Sequence, residues 1–203
     1  MPAAAYPSDI VFTPAVKALQ QARGSRHAYA RMEQGRGWQT GITDDVRGFI
    51  EAQTTLFMAT ANLDGQPYMQ HRGGPAGFLH VLDEHTLAFA DFTGNRQFIS
   101  TGNLADNPKA QLFLMDYAQR QRIKLWGEAR VETDPALIER LMPAGYKARA
   151  EQAIVFTVKA WDANCPQHIP QLIAVDEVVP AIVERDQRIA ELEAEVARLK
   201  KAR

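Results

Sequence analysis

The chain has 203 residues, 46% hydrophobic and 23% charged, with 23 basic against 24 acidic residues and a net charge of −1. It is long enough to bury a core, and its balanced charge gives no general attraction to nucleic acid or an anionic membrane, so any phosphate chemistry must be local. A single cysteine, Cys165, excludes an internal disulfide and a cysteine-rich zinc site. The absence of a signal-peptide pattern or a membrane-length apolar run leads us to expect a cytoplasmic protein.

In chain order, residues 1–12 read as a loose arm. Thr13-Pro14 caps a short helix that stops at Arg23-Gly24. Residues 25–41 are polar and rich in Arg and Gly, with Tyr29, Met32 and Trp38 as the only large apolar anchors, and are expected to wrap over the domain or a neighbouring subunit. Thr43-Asp44-Asp45 starts a helix with Val46, Phe49 and Ile50 on one face. A β-rich body follows. Residues 54–61 and 66–70 flank the turn Asn62-Leu63-Asp64-Gly65 as one hairpin, and residues 78–82 and 86–90 form another. A helix from Asn95 ends before Asn107-Pro108. Alternation marks strands over 110–117, 122–132 and 153–161, with a short helix from Asp134-Pro135 between the last two. The expected fold is therefore mainly β (α+β), a closed or nearly closed antiparallel barrel of about six strands with flanking helices.

The tail differs in kind. Ile182, Ile189 and Val196 recur every seven residues, with Leu192 and Leu199 as a second seam and charged residues between them. It reads either as a short coiled coil that reinforces a dimer or as a single charged helix laid on the barrel. The domain plan is residues 1–42 as arm and helix, 43–170 as barrel, and 171–203 as linker and helix.

Two breaks at strand ends carry cations beside glycine: His71-Arg72-Gly73-Gly74 and Gly94-Asn95-Arg96-Gln97. Backbone N–H groups freed by glycine or by a helix start bind phosphate, so this stretch suits a phosphorylated cofactor. Taken singly, Arg72 could be a solvated loop arginine and Asn95 a plain cap. A barrel would bring both breaks to one rim. Arg122 and Lys124, two apart on a strand, share the outward face opposite Ile123 and Leu125. Cys165 and His168 could form a nucleophile and base, but no orienting acid is identifiable and Pro166 separates them. A thiol packed against a ligand ring is the preferred reading. No Walker loop or Gly-x-Gly-x-x-Gly follows a strand, which disfavours nucleoside triphosphate and Rossmann chemistry.

The run Gln66-Pro67-Tyr68, Arg72-Gly73-Gly74-Pro75-Ala76-Gly77-Phe78-Leu79, Asp91-Phe92-Thr93-Gly94-Asn95-Arg96, Asn103-Leu104 and Asn107-Pro108 resembles the pyridoxamine 5′-phosphate oxidase superfamily of FMN-binding split β-barrels. Asn164-Cys165-Pro166-Gln167-His168-Ile169 is similar to the C-terminal signature of its predicted flavin-nucleotide-binding branch. The resemblance implies a homodimer with FMN at the subunit interface and a two-electron oxidoreductase acting on an unassigned small molecule. A nicotinamide or deazaflavin could be the electron donor, and a non-catalytic flavin carrier or sensor is the alternative. It also implies that Asn95, Arg96 and Gln97 grip the FMN phosphate, while His71, Arg72, Gly73 and Gly74 run beside the ring and ribityl chain. Arg122, with Lys124 nearby, would meet the ring, and Asn164, Cys165 and His168 would close over it. No metal, nucleic acid or membrane is implied. This chain lacks the family enzyme's Arg-x-Val-Leu-Leu-Lys, Ser-Arg-Lys and C-terminal Arg-x-His segments. Those departures argue against the vitamin B6 reaction itself.

Overall fold

A computed structural model describes residues 6–164 and 166–202. The chain divides into two compact units, Met1–Met115 with Arg122–Cys165, and Asp116–Gln121 with Pro166–Arg203. The first holds a 3-10 turn Pro7–Ile10, helices α1 (Pro14–Ala22), α2 (Arg26–Gln34) and α3 (Asp44–Glu51), and strands β1 (Thr55–Ala61), β2 (Pro67–Gly73), β3 (His80–Asp83) and β4 (Thr86–Phe92). It continues through α4 (Ile99–Asp106), β5 (Lys109–Asp116), β6 (Gln121–Glu132), α5 (Pro135–Leu141) and β7 (Ala150–Asn164). β5 and β6 each run one residue into the second unit, whose own element is α6 (Val175–Lys201).

Seven strands, rather than about six, form one sheet in the order β2-β1-β5-β6-β7-β4-β3. The sheet is mainly antiparallel and does not close, because β2 and β3 are edges that do not pair with each other. In a flat sheet, β2 and β4 would lie about 24 Å apart, five strand spacings. Arg72 on β2 nevertheless reaches Asp91 on β4 at 2.9 Å, so the sheet curls until one ion pair spans the split.

Alternation explains what fills the curl. Leu56 and Met58 of β1, Leu112 and Leu114 of β5, Leu125 of β6 and Phe156 of β7 are buried in one cluster, with Val46 and Ile50 of α3 against it. β4 is buried on both faces, because Ala88 and Ala90 join Ala153, Val155 and Leu141 in a second cluster beneath α5. Gly65, at φ +82°, makes the β1–β2 turn in a conformation that other residues adopt with strain. A second glycine is required at the β6 bulge, where a Cβ on Gly127 would stand 2.0 Å from the Thr157 carbonyl oxygen.

Three local expectations change. Residues 26–34 are helical, and Trp38 stacks on Trp126 at 4.4 Å with 8° between ring planes. The Trp161 Nε1–H donates to the Gly41 carbonyl at 2.7 Å. The wrap is therefore over β6 and β7 of its own chain. β2 continues to Gly73, so His71, Arg72 and Gly73 belong to a paired strand rather than to a break. α4 begins at Ile99, four residues after Asn95. Among the described residues, no helix is long and apolar enough to cross a membrane.

Candidate functional site

Because β2 alternates, Tyr68, Gln70 and Arg72 share its half-buried face while Met69 and His71 take the other. Tyr68 Oη donates to Gln70 Oε1. Arg72 Nη1 lies 2.9 Å from Asp91 Oδ1, with the two side chains only 20% and 10% exposed. On the neighbouring strand, Gln152 Nε2 of β7 donates to Asp91 Oδ2 and to Thr101 Oγ1, each at 2.9 Å. One polar chain thus joins β2, β4, β7 and α4.

The loop after β4 completes a cavity of about 190 Å³ lined by Tyr68, Gln70, Arg72, Gly94–Thr101 residues, Asp91 and Glu151. Its backbone is unusual. Arg96 and Phe98 both have left-handed φ, at 59° and 53°, which costs side-chain-bearing residues roughly 1–2 kcal/mol each. Asn95 does not cap α4, because its Oδ1 accepts from the Gln97 N–H at 3.2 Å and so tightens the loop instead. The N-cap position falls to Phe98, which makes no side-chain cap hydrogen bond. Ser100, in the first turn, is 3% exposed, and its Oγ has no hydrogen-bond partner among the described residues. Arg72 Nε is likewise buried without one.

Buried donors without partners, an uncapped helix start and two arginines aimed at one small cavity are the chemistry of an anion site. Its formal charge is balanced. Arg72 faces Asp91, and Arg96 Nε lies 3.6 Å from Glu151 Oε1. The second contact is loose, since Arg96 is 64% exposed, and exposed pairs contribute little. An incoming anion can therefore draw Arg96 off Glu151 at small cost, whereas Arg72 is fixed.

A second cavity of about 190 Å³ is lined by His71, Arg72, Gly73, Phe78 and Phe89, and shares Gln70, Arg72, Asp91, Phe92 and Gly94 with the first. The two flank the Arg72–Asp91 pair. His71 itself is turned to the other face, where its Nε2 is 2.6 Å from Thr55 Oγ1 and its ring meets Phe57 edge-on at 5.6 Å. Gly74 has a packing reason. Gly74 donates its N–H to the Thr54 carbonyl at 3.1 Å, and a Cβ there would sit 2.7 Å from Phe78 Cβ. The expected nest of free N–H groups at Gly73-Gly74 is thus corrected: Gly74's N–H is spent on closing β2 onto β1.

Arg122 and Lys124 do share the outward face of β6, together with Trp126. They do not line the Arg72–Arg96 cavity. Lys124 Nζ is 4.0 Å from Asp162 Oδ2 and 5.6 Å from the Trp126 ring centroid. Burial pulls the Lys124 ammonium below its ordinary pKa, Asp162 opposes that, and Arg122 adds to it. Arg122 Nε is buried with no hydrogen-bond partner among the described residues. Asn164 ends β7 opposite Arg122 in register. Cys165 lies outside the described residues. His168, in the second unit, has a left-handed φ of 64° and is exposed. Its loop is held by Arg120, which donates from Nε to the Ile169 carbonyl at 3.1 Å. Among the described residues, no group of three or more His, Cys, Asp or Glu is placed to hold a metal ion.

Tyr68, Gln70, Asp91, Ser100, Glu151 and Gln152 were not singled out by sequence. Two-residue alternation puts Tyr68 and Gln70 on one strand face, and Arg72 joins that face only because β2 runs on through the expected break. Asp91 and Gln152 meet from 61 positions apart, and nothing local announces such a pair.

The sequence model described as Pyridoxamine 5′-phosphate oxidase matches residues 42–165. Among solved structures, HupZ of Group A Streptococcus aligns at 19% identity with a TM-score of 0.50, covering 65% of this chain and 99% of HupZ. A protein related to general stress protein 26, of the pyridoxinephosphate oxidase family, from Clostridium acetobutylicum aligns at 17% identity and a TM-score of 0.45, covering 66% and 94%. An FMN-binding protein from Syntrophomonas wolfei aligns at 10% identity and 0.47, covering 73% and 97%. At these identities the HupZ likeness bears on the fold. No curated relative matches the sequence.

Proposed function

The chain belongs to the pyridoxamine 5′-phosphate oxidase family, and from that premise we propose that it binds FMN and works as a two-electron oxidoreductase on a small molecule. The observation that carries this reading is the anion cavity. Arg72 and Ser100 line it, with Arg72 Nε and Ser100 Oγ buried and without hydrogen-bond partners among the described residues, and α4 presents an N-terminus with no side-chain cap. Those donors fit a phosphate monoester. Arg96 would supply the outer grip by leaving Glu151, and Gln97 borders the same cavity. The neighbouring cavity along His71, Arg72 and Gly73 would take the ribityl chain and an edge of the ring.

FMN, when bound, supplies hydride chemistry at its ring, and the protein supplies position and electrostatics. Arg72 and Arg96 neutralise the phosphate through charge-assisted hydrogen bonds. Tyr68 and Gln70 fix the floor by bonding to each other. Arg122 and Lys124, with the Asn164–His168 segment, belong in this reading to the second half of the site and would be contributed by a homodimer partner. A cation near the ring would favour the reduced, anionic flavin.

A carrier or sensor without turnover is the rival, because the cavity's arginines are already paired with Asp91 and Glu151 and no free acid or base stands among them. The absorbance spectrum of the purified protein, followed by a reduction screen with NADH, NADPH and a deazaflavin donor, tests the proposal. Near-stoichiometric flavin that one donor reduces supports the oxidoreductase. Bound flavin that none reduces supports the carrier, and no flavin affinity at all sinks both.

A further inference from the structure

α6 carries an apolar stripe with no cover: Ile182, Ile189, Leu192, Val196 and Leu199 are 42–56% exposed, and no residue of the helix is buried. Taking Ile182 as position a of a heptad places Ile182, Ile189 and Val196 at a, and Arg185, Leu192 and Leu199 at d. β-branched residues at a with leucine at d favour two parallel strands. Pro180, inside the helix, falls at the outward f position, where its ring does not meet a partner.

The flanking charges choose the orientation. In a parallel, in-register pair, each g residue faces the e residue five positions on in the other helix. That sets Arg188 against Glu193 and Glu195 against Lys200, both attractive, with neutral Ala181 against Asp186. An antiparallel pair that aligns the same seam sets Asp186 against Glu193, two like charges, and keeps one attractive pair, Arg188 with Glu195, against two attractive pairs and no repulsive one in the parallel arrangement. The helix also has a shallow groove of about 380 Å³ formed by Ile189, Leu192 and Val196 with Glu193 and Lys200 on its border. The groove offers a hole for an apolar knob, with one acid and one base beside it to match Arg188 and Glu195 of a second copy. Within the chain those two residues already hold Glu191 and Arg198, at 2.8 and 3.5 Å. These exposed i,i+3 pairs pre-order the side chains and are weak enough to exchange. Arg185, the one charged seam residue, is held by Asp186 at 3.2 Å, so tight packing runs from Ile189 to Leu199 with Ile182 as an outlying layer.

We propose that α6 pairs with α6 of a second copy of this chain as a parallel, in-register, two-stranded coiled coil over residues 182–199. The seam selects two strands, and the Arg188–Glu193 and Glu195–Lys200 pairs fix direction and register. The pairing makes no use of the flavin reading. About three heptads are near the lower limit for an isolated coil, so the helices add to the association of two full chains rather than acting alone.

Disulfide trapping in the full-length protein tests it, in a Cys165→Ser background under a glutathione redox buffer. Leu199→Cys and, separately, Ile182→Cys should each form covalent dimers with their own kind. Adding Glu195→Lys to Leu199→Cys should reduce the trapped dimer, and adding Lys200→Glu as well should restore it. Cross-linking only when Ile182→Cys and Leu199→Cys chains are mixed would mean an antiparallel pair and would overturn the proposal. So would the absence of cross-links in all three experiments, or a failure of the charge swap to rescue. Flavin content is a separate result, read on the wild-type protein because Cys165 lies in the segment that the flavin reading places over the ring. Flavin-free wild type beside variants that cross-link counts against the cofactor reading alone, and flavin-loaded wild type beside variants that do not counts against the coiled coil alone.

Discussion

At the rim cavity, Arg72 holds Asp91 at 2.9 Å and Arg96 holds Glu151 at 3.6 Å. On the outer face of β6, Lys124 lies 4.0 Å from Asp162, packed over the Trp126 ring, with its ammonium pulled down by burial. Both places set cations against carboxylates, and both sit on one curled sheet, yet they manage charge in different ways. The rim cavity holds Arg72 firmly on Asp91 and Arg96 loosely on Glu151, and it has buried donors with no hydrogen-bond partner among the described residues. The β6 face keeps its lysine partly desolvated over the Trp126 ring. The first arrangement suits an arriving dianion. The second suits a fixed contact that is strengthened when something else covers it.

The contrast can be broken most severely through β6. Gly127→Ala puts a methyl group against the Thr157 carbonyl, which stands 2.0 Å from that Cβ position. Overpacking backbone against backbone should cost roughly 3 kcal/mol or more, and chemical denaturation measures it. An unchanged midpoint would mean that the bulge moves freely and that the positions of Arg122 and Lys124 are not fixed by it.

Arg72→Ala comes next. It leaves Asp91, 10% exposed, with only Gln152. An uncompensated buried carboxylate should lower stability by about 2 kcal/mol, and flavin retention should fall as well. Arg96→Ala should separate those effects. Stability should stay within error by thermal unfolding, because the side chain is 64% exposed, while FMN binding measured by fluorescence titration weakens by about 1.5 kcal/mol, the low end for a charged hydrogen bond.

Glu151→Gln should act in the opposite direction and tighten FMN by about 0.5 kcal/mol, since it frees Arg96 from an exposed pair. Weaker binding in that variant would place Glu151 on the ligand rather than on Arg96. The smallest effect belongs to Lys124→Met. Desolvation lowers the pKa of Lys124 from 10.5, so the protonated lysine opposes folding. That cost is complete at pH values below the lowered pKa and fades as the pH rises through it toward 10.5. The methionine variant should therefore be slightly more stable than wild type at neutral pH, with the gain vanishing in alkali. A loss at neutral pH would show that the Asp162 pair outweighs desolvation.

Periodicity carried most of the fold. The Asn62–Gly65 turn, the buried alternation of β1 and β5, and the outward pairing of Arg122 with Lys124 all follow from two-residue spacing and turn chemistry, and each appears in the structure. The seventh strand and the open edge did not follow, because closure depends on how far the sheet curls. For the site, Arg72 and Arg96 were legible as cations beside glycines and do meet at one cavity. The reasons differ from the expected ones: Gly74 is needed for Phe78, and Asn95 tightens a loop rather than capping a helix. A left-handed arginine and phenylalanine at 96 and 98 delay α4 by four residues. No propensity rule predicts that conformation for either residue. Ser100 became visible as a site residue only once the true start of α4 was known.

The central claim is that the Arg72–Arg96–Ser100 cavity holds the phosphate of FMN. Parallel titrations of the protein with FMN and with riboflavin, which lacks the phosphate, test it most directly when repeated on Arg96→Ala. The account predicts that wild type binds FMN about tenfold or more tightly than riboflavin, the scale of one charged hydrogen bond, and that Arg96→Ala removes most of the difference. Equal affinities in wild type, or a preference that survives Arg96→Ala intact, would contradict it.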